Sequence, residues 1–216
     1  MLTGAFKQRI AHLDRFFKMP VMREPLARLI ANLRLGSMTK PHLIGLTASN
    51  HEEGVTTLAI YLGVEIVKTF SIPVLVVEAN FRKPRLASYC KIPRSPGLLD
   101  VLTGEGLKMD VKVHRSSLKN LFLLPAGGDH PHPLGLFSST RYEEFLDSAR
   151  KRYPVIIVDA PPILPYAEGP STLKPLDLNA FVVAADATRE EDVHRAVHNL
   201  EELGVTLTGS VLNRKR

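Results

Sequence analysis

Short continuous apolar runs alternate with helical stripes along most of the chain. The runs His42-Leu43-Ile44-Gly45-Leu46, Val74-Leu75-Val76-Val77, Leu121-Phe122-Leu123-Leu124 and Val155-Ile156-Ile157-Val158 leave little room for a wet face, which predicts strands buried on both sides. Further strands are predicted over residues 180–185 and 206–212. Between the runs, apolar residues at helical spacing predict helices over 56–70 and 189–203. A third helix runs to about residue 152, with Ser139 as its cap and Tyr142, Phe145, Leu146 and Ala149 inward. Repeated alternation of strand and helix gives an α/β fold class: a doubly wound, mostly parallel sheet with helices on both faces. Residues 82–119, broken by Pro93, Pro96 and Gly97, read as loop-rich and surface-exposed, with a short helix at 98–102.

N-terminal helices precede the sheet. One covers about residues 25–35, with Leu26, Leu29, Ile30 and Leu33 on one side. The other carries Phe6, Ile10, Leu13 and Phe17 at helical spacing, while Lys7, Arg9, His12, Arg15 and Lys18 fall off that stripe. The 216 residues thus divide into a basic amphipathic helical segment, 1–40, and one α/β domain, 41–216.

Ligands of such sheets bind beyond the carboxyl ends of the strands, and the chemistry-bearing residues of this chain collect there. Thr47-Ala48-Ser49-Asn50-His51-Glu52-Glu53-Gly54-Val55-Thr56-Thr57 follows the first strand and opens a helix, where a phosphate-binding loop would sit. In that loop a small residue is followed five positions later by Gly, then Lys, then Ser or Thr, so that backbone N–H groups, the lysine and a hydroxyl surround phosphates and Mg²⁺. Ser49, Gly54, Thr56 and Thr57 fit; Val55 replaces the lysine. Glu78 and Asp159 end two other strands, and with Thr56 they offer oxygen ligands of the kind Mg²⁺ takes.

Charge adds one asymmetry. The formal net charge is +6, and residues 1–40 carry all of it, with eight Lys or Arg against two acids. A basic amphipathic helix lies on an anionic membrane surface or docks on a partner; packing against the sheet with a solvated charged face fits the same pattern. Nucleic acid is a poor fit, because no aromatic-interleaved basic patch accompanies the charge. No apolar run reaches the roughly 18 residues that span a bilayer, no secretory signal is visible near Met1, and the single Cys90 offers no disulfide framework, so the expected location is cytoplasmic. Cys90 has the setting of a small apolar filler. His130-Pro131-His132 beside Asp129, and His194 with His198 one turn apart, have metal-ligand spacing, but a loop and an exposed helix face explain them more simply.

In order and spacing, these motifs resemble the cytoplasmic domain of the bacterial tyrosine kinases (BY-kinases) of capsule and exopolysaccharide assembly, relatives of the MinD and ParA ATPases. The resemblance covers about residues 22–213. The loop of that family typically reads Pro-Gly-Glu-Gly-Lys-Ser-Thr and is matched by His51-Glu52-Glu53-Gly54-Val55-Thr56-Thr57. Its Asp-x-Asp-x-Arg motif is matched by Glu78-Ala79-Asn80-Phe81-Arg82, and its third motif is intact as Val158-Asp159-Ala160-Pro161-Pro162. Gly97-Leu98-Leu99-Asp100, Leu124-Pro125-Ala126-Gly127 and Gly209-Ser210-Val211-Leu212-Asn213 also look familial.

The resemblance implies a P-loop NTPase-like fold. It further implies an ATP or ADP site built from Ser49, Glu53, Gly54, Val55, Thr56, Thr57 and Arg82, with Mg²⁺ on Thr56, Asp159 and Glu78, the two carboxylates being the catalytic candidates. The implied partner is a membrane-spanning polysaccharide co-polymerase, which would place the chain at the inner face of the cell membrane. The departures concentrate on chemistry. Val55 removes a charge-assisted contact worth about 1.5–3 kcal/mol, roughly ten- to hundredfold in affinity. Glu52 replaces a glycine and brings a carboxylate to where a polyanion should lie, and Asn80 replaces the second aspartate. The family's contact helix, Glu-x-x-Arg-x-x-Arg, is matched by Glu24, Ala27 and Ile30, and Tyr61, Tyr89, Tyr142, Tyr153 and Tyr166 lie in the body rather than in a tail.

The expected function is that of a catalytically impaired BY-kinase-like protein that acts by binding, with nucleotide weakly held or absent. The alternatives are a working kinase or ATPase using Arg82, Lys83 or a partner's side chain in place of the lysine, and a ParA-like DNA-associated protein. Glu52 and Glu53 are expected to pair with Arg82 or Lys83 and fill part of the site.

Overall fold

The protein is described by a computed structural model over residues 23–33, 41–104 and 113–214. The helix predicted near residues 6–18, and with it most of the basic segment, lies outside them. Helix α1 (Arg23–Asn32) leads to strand β1 (His42–Ala48), helix α2 (Val55–Phe70) and strand β2 (Val74–Glu78). Two short helices, α3 (Leu86–Cys90) and α4 (Leu98–Thr103), precede β3 (His114–Arg115) and β4 (Leu121–Leu124). Then come α5 (Leu134–Phe137), α6 (Thr140–Arg150), β5 (Val155–Asp159), α7 (Glu168–Leu173), β6 (Leu178–Ala185), α8 (Glu190–Glu202) and β7 (Gly209–Arg214).

The seven strands form one sheet in the order β3-β4-β2-β5-β1-β6-β7. Every pairing is parallel except β3 with β4. Strand β5 therefore lies between β1 and β2, and the register sets Asp159 level with Leu46 on one side and Glu78 on the other. Three chain segments far apart in sequence thus end together.

Successive strand residues face opposite sides, and each side meets its own helices. Leu43, Leu75, Val77, Ile156 and Val158 join Tyr142, Phe145 and Leu146 of α6 and Ala196 and Leu200 of α8 in one core. Ile44, Leu46, Val74, Val76 and Ile157 join the buried face of α2 in the other. Leu26 and Ile30 of α1, with Leu33 just after it, are buried in that second core, so the position where the family's contact helix carries an arginine holds a packing residue, Ile30.

Three sequence expectations change. Ser139 sits at the N-cap of α6 but makes no side-chain cap bond; its hydroxyl donates to the Leu136 carbonyl at 2.6 Å, in the turn that ends α5. The last strand begins at Gly209 rather than 206, because Asn179 takes up the preceding segment: its Nδ2 donates to the Thr206 carbonyl at 3.2 Å and its carbonyl accepts from Thr208 N at 2.7 Å. The segment 82–119 is less exposed than its irregular text implies, since Leu86, Cys90, Leu98 and Leu102 are buried along α3 and α4. Cys90 is buried, and desolvation pushes its thiol up to about 12, as expected of a filler.

Gly45 shows how tightly β1 is seated. A Cβ there would meet Asn179 Oδ1 at 2.4 Å and Leu173 and Leu176 side chains at 2.6 and 2.8 Å. Replacing Gly45 with Val overpacks this point and is expected to cost about 1–3 kcal/mol or more, read as a lowered urea midpoint with an unchanged slope.

Candidate functional site

Strand β1 delivers the loop of residues 49–54 to the C-terminal edge of the sheet. The exit of β5 is laid beside it: Ala160 N donates to the Leu46 carbonyl at 2.9 Å, Ile163 N to Ala48 at 3.0 Å and Leu164 N to Ser49 at 3.1 Å, while Thr47 Oγ1 donates to the Pro161 carbonyl at 2.8 Å. This ladder continues the sheet past its last regular residues and fixes where the loop begins.

The loop itself is held by side chains from four directions. Glu53 turns inward and is buried; its carboxylate accepts from Ser49 N at 3.0 Å, from Asn50 N and from the Thr188 hydroxyl. Burial raises the Glu53 carboxyl above its usual range, and those three hydrogen bonds work in the opposite direction. Asn213, at the end of β7, donates to the Glu53 carbonyl at 3.0 Å. Asn50 donates to Asp192 at 3.1 Å, and His51 Nε2 lies 2.8 Å from the Tyr166 hydroxyl.

Two backbone positions in the loop take left-handed dihedrals. Gly54 has φ 96° and is doubly required, because a Cβ there would fall 2.2 Å from Asn213 Nδ2. Glu52 has φ 64°, a conformation that costs a non-glycine residue about 1–2 kcal/mol. The resembled family has glycine at that point, a residue that adopts this conformation freely. Helix α2 starts with no side-chain cap, and its first helical bond runs from Leu58 N to the Gly54 carbonyl. The preceding N–H groups of the first turn therefore face outward at a helix N-terminus, a setting that favours an anion.

Beneath the loop lie the carboxylates. Asp159 is fully buried; the Thr56 hydroxyl donates to it, and its Oδ2 has no hydrogen-bond partner among the described residues. Burial, with a further push from Glu78, raises its carboxyl to about 8, against the pull of Thr56. Glu78 is equally buried, but both of its oxygens are taken: Oε1 accepts from Arg85 N and from Leu86 N at 2.7 Å, and Oε2 accepts from Ala126 N at 3.1 Å. Its carboxyl is also raised by burial, with these N–H bonds opposing.

Arg82 donates through Nε to Glu168 at 2.8 Å and lies over the Tyr166 ring, 4.9 Å from its centroid. The expected pairing of Glu52 or Glu53 with Arg82 is thereby corrected: Arg82 is taken by Glu168 of α7, and the Glu53 carboxylate is held on the other side by Ser49, Asn50 and Thr188. Asn80 forms the turn after β2 by accepting from Arg82 N and Lys83 N at 3.2 and 3.1 Å. The histidine pairs lie apart from this region. Asp129 is engaged by Arg94, and His194 and His198 sit exposed beside Glu190 and Glu202 at 3.5 and 3.3 Å. Tyr166, Glu168, Thr188, Asp192 and Asn213 complete the loop's surroundings, and none stood out as a site residue in the sequence. Asn213 alone had a signal, its place at the end of an apolar run resembling the family's last motif.

The geometry fits an implied Mg²⁺ in part and an implied nucleotide less well. Thr56 and Asp159 form a compact pair of hard oxygen donors, one carboxylate oxygen having no partner among the described residues, as a cation site requires. Glu78, fully hydrogen-bonded to backbone, has the geometry of a strut rather than a ligand. For the phosphates, Val55 supplies no charge, and the amides of Ser49 and Asn50 already donate to the Glu53 carboxylate.

No family model matches the chain. Among curated proteins it is similar to the tyrosine-protein kinase CpsD of Streptococcus pneumoniae serotype 4, 25% identical over 187 residues, which are 86% of this chain and 81% of that protein. It is also similar to the tyrosine-protein kinase YwqD of Bacillus subtilis, 29% identical over 171 residues, 79% of this chain and 71% of YwqD. The match to the tyrosine-protein kinase ptk of Acinetobacter johnsonii, 23% over 140 residues and 65% of this chain, spans only 19% of that longer protein. Among solved structures, the VpsO kinase domain superposes with a TM-score of 0.80 at 26% identity, over 98% of this chain and 99% of that one. The chimerical protein CapA2B2 gives 0.83 at 22% identity over 92% and 86% of the two chains. The fold is shared with MinD complexed with Mg-ADP from Pyrococcus horikoshii, TM-score 0.64 at 20% identity over 80% and 70%. The relatives of this chain are bacterial tyrosine-protein kinases, and its fold is that of their kinase domains and of the MinD ATPases.

Asp159 makes stability depend on pH in a defined direction. Its carboxyl titrates near 8 in the fold, against about 4 in an unfolded chain. Between those values the unfolded chain has released a proton that the folded one retains, so stability falls as pH rises through the window. Urea midpoints of the wild type and of Asp159→Asn, taken from pH 4 to 8 without divalent cation, are expected to diverge in favour of the variant as pH increases.

Proposed function

We propose that this protein is a catalytically impaired relative of the bacterial tyrosine kinases, acting by binding within exopolysaccharide synthesis and export. One observation carries the reading: the loop at the phosphate-binding position is held by its own contacts and offers no cation at the lysine position. Val55 stands at the lysine position, Glu52 holds a left-handed glycine position, and the Glu53 carboxylate occupies loop amides. Behind the loop two continuous cores and a regular sheet register are in place, so the reading rests on the chemistry of the loop and not on a failure of the fold.

The partner in this reading is the cytoplasmic side of a membrane-spanning polysaccharide co-polymerase, with residues 1–40 adding contact with an anionic membrane surface. The relation to longer kinases supports it: the aligned part is a minor fraction of ptk, so in that protein the same domain is joined to a large additional region. Among the described residues no helix is long and apolar enough to cross a membrane, so in this reading the spanning part comes from elsewhere.

A second reading, a working ATPase or kinase with a substitute cation, draws on Lys83. Arg82 is committed to Glu168, whereas Lys83 lies close enough to the loop to depress the His51 imidazole, after the larger effect of burial.

Calorimetric titration with Mg·ATP and Mg·ADP separates the two. The impaired reading expects no saturable binding at micromolar nucleotide, and a gain of roughly tenfold or more when Val55→Lys is combined with Glu52→Gly. Micromolar Mg·ATP binding by the wild type, with phosphate release that disappears in Asp159→Ala, would overturn it, and further loss in Lys83→Ala would identify the substitute cation.

A further inference from the structure

The second core runs out to the surface at one end. Leu29 of α1 and Val211 of β7 pack against it and stay partly exposed. Between these two elements lies an open groove of about 560 Å³, with Pro25 and Leu29 on one wall and Val211 and Leu212 on the other. Its two charged lining residues, Glu24 and Arg28, pair with each other at 3.4 Å, so the groove carries no net charge. Leu212 is 68% exposed, more than any other large apolar residue among the described ones. Strand β7 also has no neighbour on its outer side among the described residues, so a six-residue row of edge N–H and C=O groups borders the groove.

The chain itself carries a surface that matches. Residues 1–22 lie outside the described residues and run directly into α1 at Arg23. Their sequence sets Phe6, Ile10, Leu13 and Phe17 at helical spacing. A helix over residues 6–18 is about 20 Å long at about 1.5 Å per residue, and six strand residues also span about 20 Å at about 3.3 Å each. Pro20 ends such a helix, and the residues 19–22 suffice to reverse the chain between antiparallel helices.

We propose that residues 6–18 fold back on α1 as a helix and lay Phe6, Ile10, Leu13 and Phe17 in the groove between α1 and β7. Joined to one wall of the groove by a short link, this segment meets it at an effective concentration on the order of millimolar, which a separate molecule does not match. A membrane would take the stripe only by leaving Leu212 and the groove bare. Lys7, Arg15 and Lys18, off the stripe, face solvent in this arrangement and stay able to meet an anionic surface. The inference is independent of the proposed function, since it requires neither nucleotide nor co-polymerase.

Hydrogen exchange of the full chain, read by mass spectrometry without lipid or nucleotide, tests it from both sides of the contact. Ile10→Glu combined with Leu13→Glu should speed exchange in residues 24–32 and 209–214 by about tenfold or more and leave β1 and β5 unchanged. Leu212→Asp, a change at an exposed position, should speed exchange across residues 6–18 by a similar factor. Unchanged exchange at the far side of the contact in either variant overturns the proposal. So does protection of residues 209–214 that disappears on dilution, which assigns the groove to a second copy of the chain. Protection of residues 6–18 that arises only with phosphatidylglycerol vesicles overturns it too, by assigning the stripe to lipid.

Discussion

Two carboxylates buried side by side at the dry end of a parallel sheet set the terms for everything around them. The register that places Glu78 level with Asp159 leaves little room for both to ionise, and the fold resolves the conflict unequally. Glu78 receives backbone N–H groups from Arg85, Leu86 and Ala126, and in doing so gathers the start of α3 and the exit of β4 onto the end of β2. Among the described residues the Asp159 carboxylate receives only the Thr56 hydroxyl, and it is the group whose proton is easily held. One acid acts as a structural strut, and its neighbour stays chemically available.

The loop above them follows the same division between shape and charge. Its shape comes from contacts that do not require a ligand: Asn213 to the Glu53 carbonyl, Asn50 to Asp192, His51 to Tyr166, and Glu53 to its own loop amides. Its electrostatics run against a polyphosphate. Contacts of this kind fix the loop's conformation, and any surface it presents, through residues of the chain itself.

The sequence made the frame legible because burial on both faces leaves a contiguous apolar signature, as at Val74–Glu78 and Val155–Asp159. It was silent about α3, α5 and α7, which are too short to show a helical period, and α7 contains Gly169 and Pro170 besides. The candidate site was legible as far as its own loop. Thr56, Gly54 and Asp159 announce themselves by local pattern, whereas the partner of Arg82 is 86 residues away and that of His51 is 115 away. Contacts of that span leave no periodicity, and an acid such as Glu168 looks like any other solvated charge until the fold buries it. Ile30 shows the complementary case: the position that carries arginine in the resembled family's contact helix is a filled core position here.

The bond from Asn213 to the Glu53 carbonyl joins residues 160 positions apart. As the chain leaves the ribosome, β1, the loop and the start of α2 emerge early, but the side chain that fixes the loop from the β7 side arrives only after β5 and β6 have been made. Until then Gly54 has no amide group beside it, and the loop lacks one of its ties. The last strand therefore adds its tie late, after the strands that support the loop have been made.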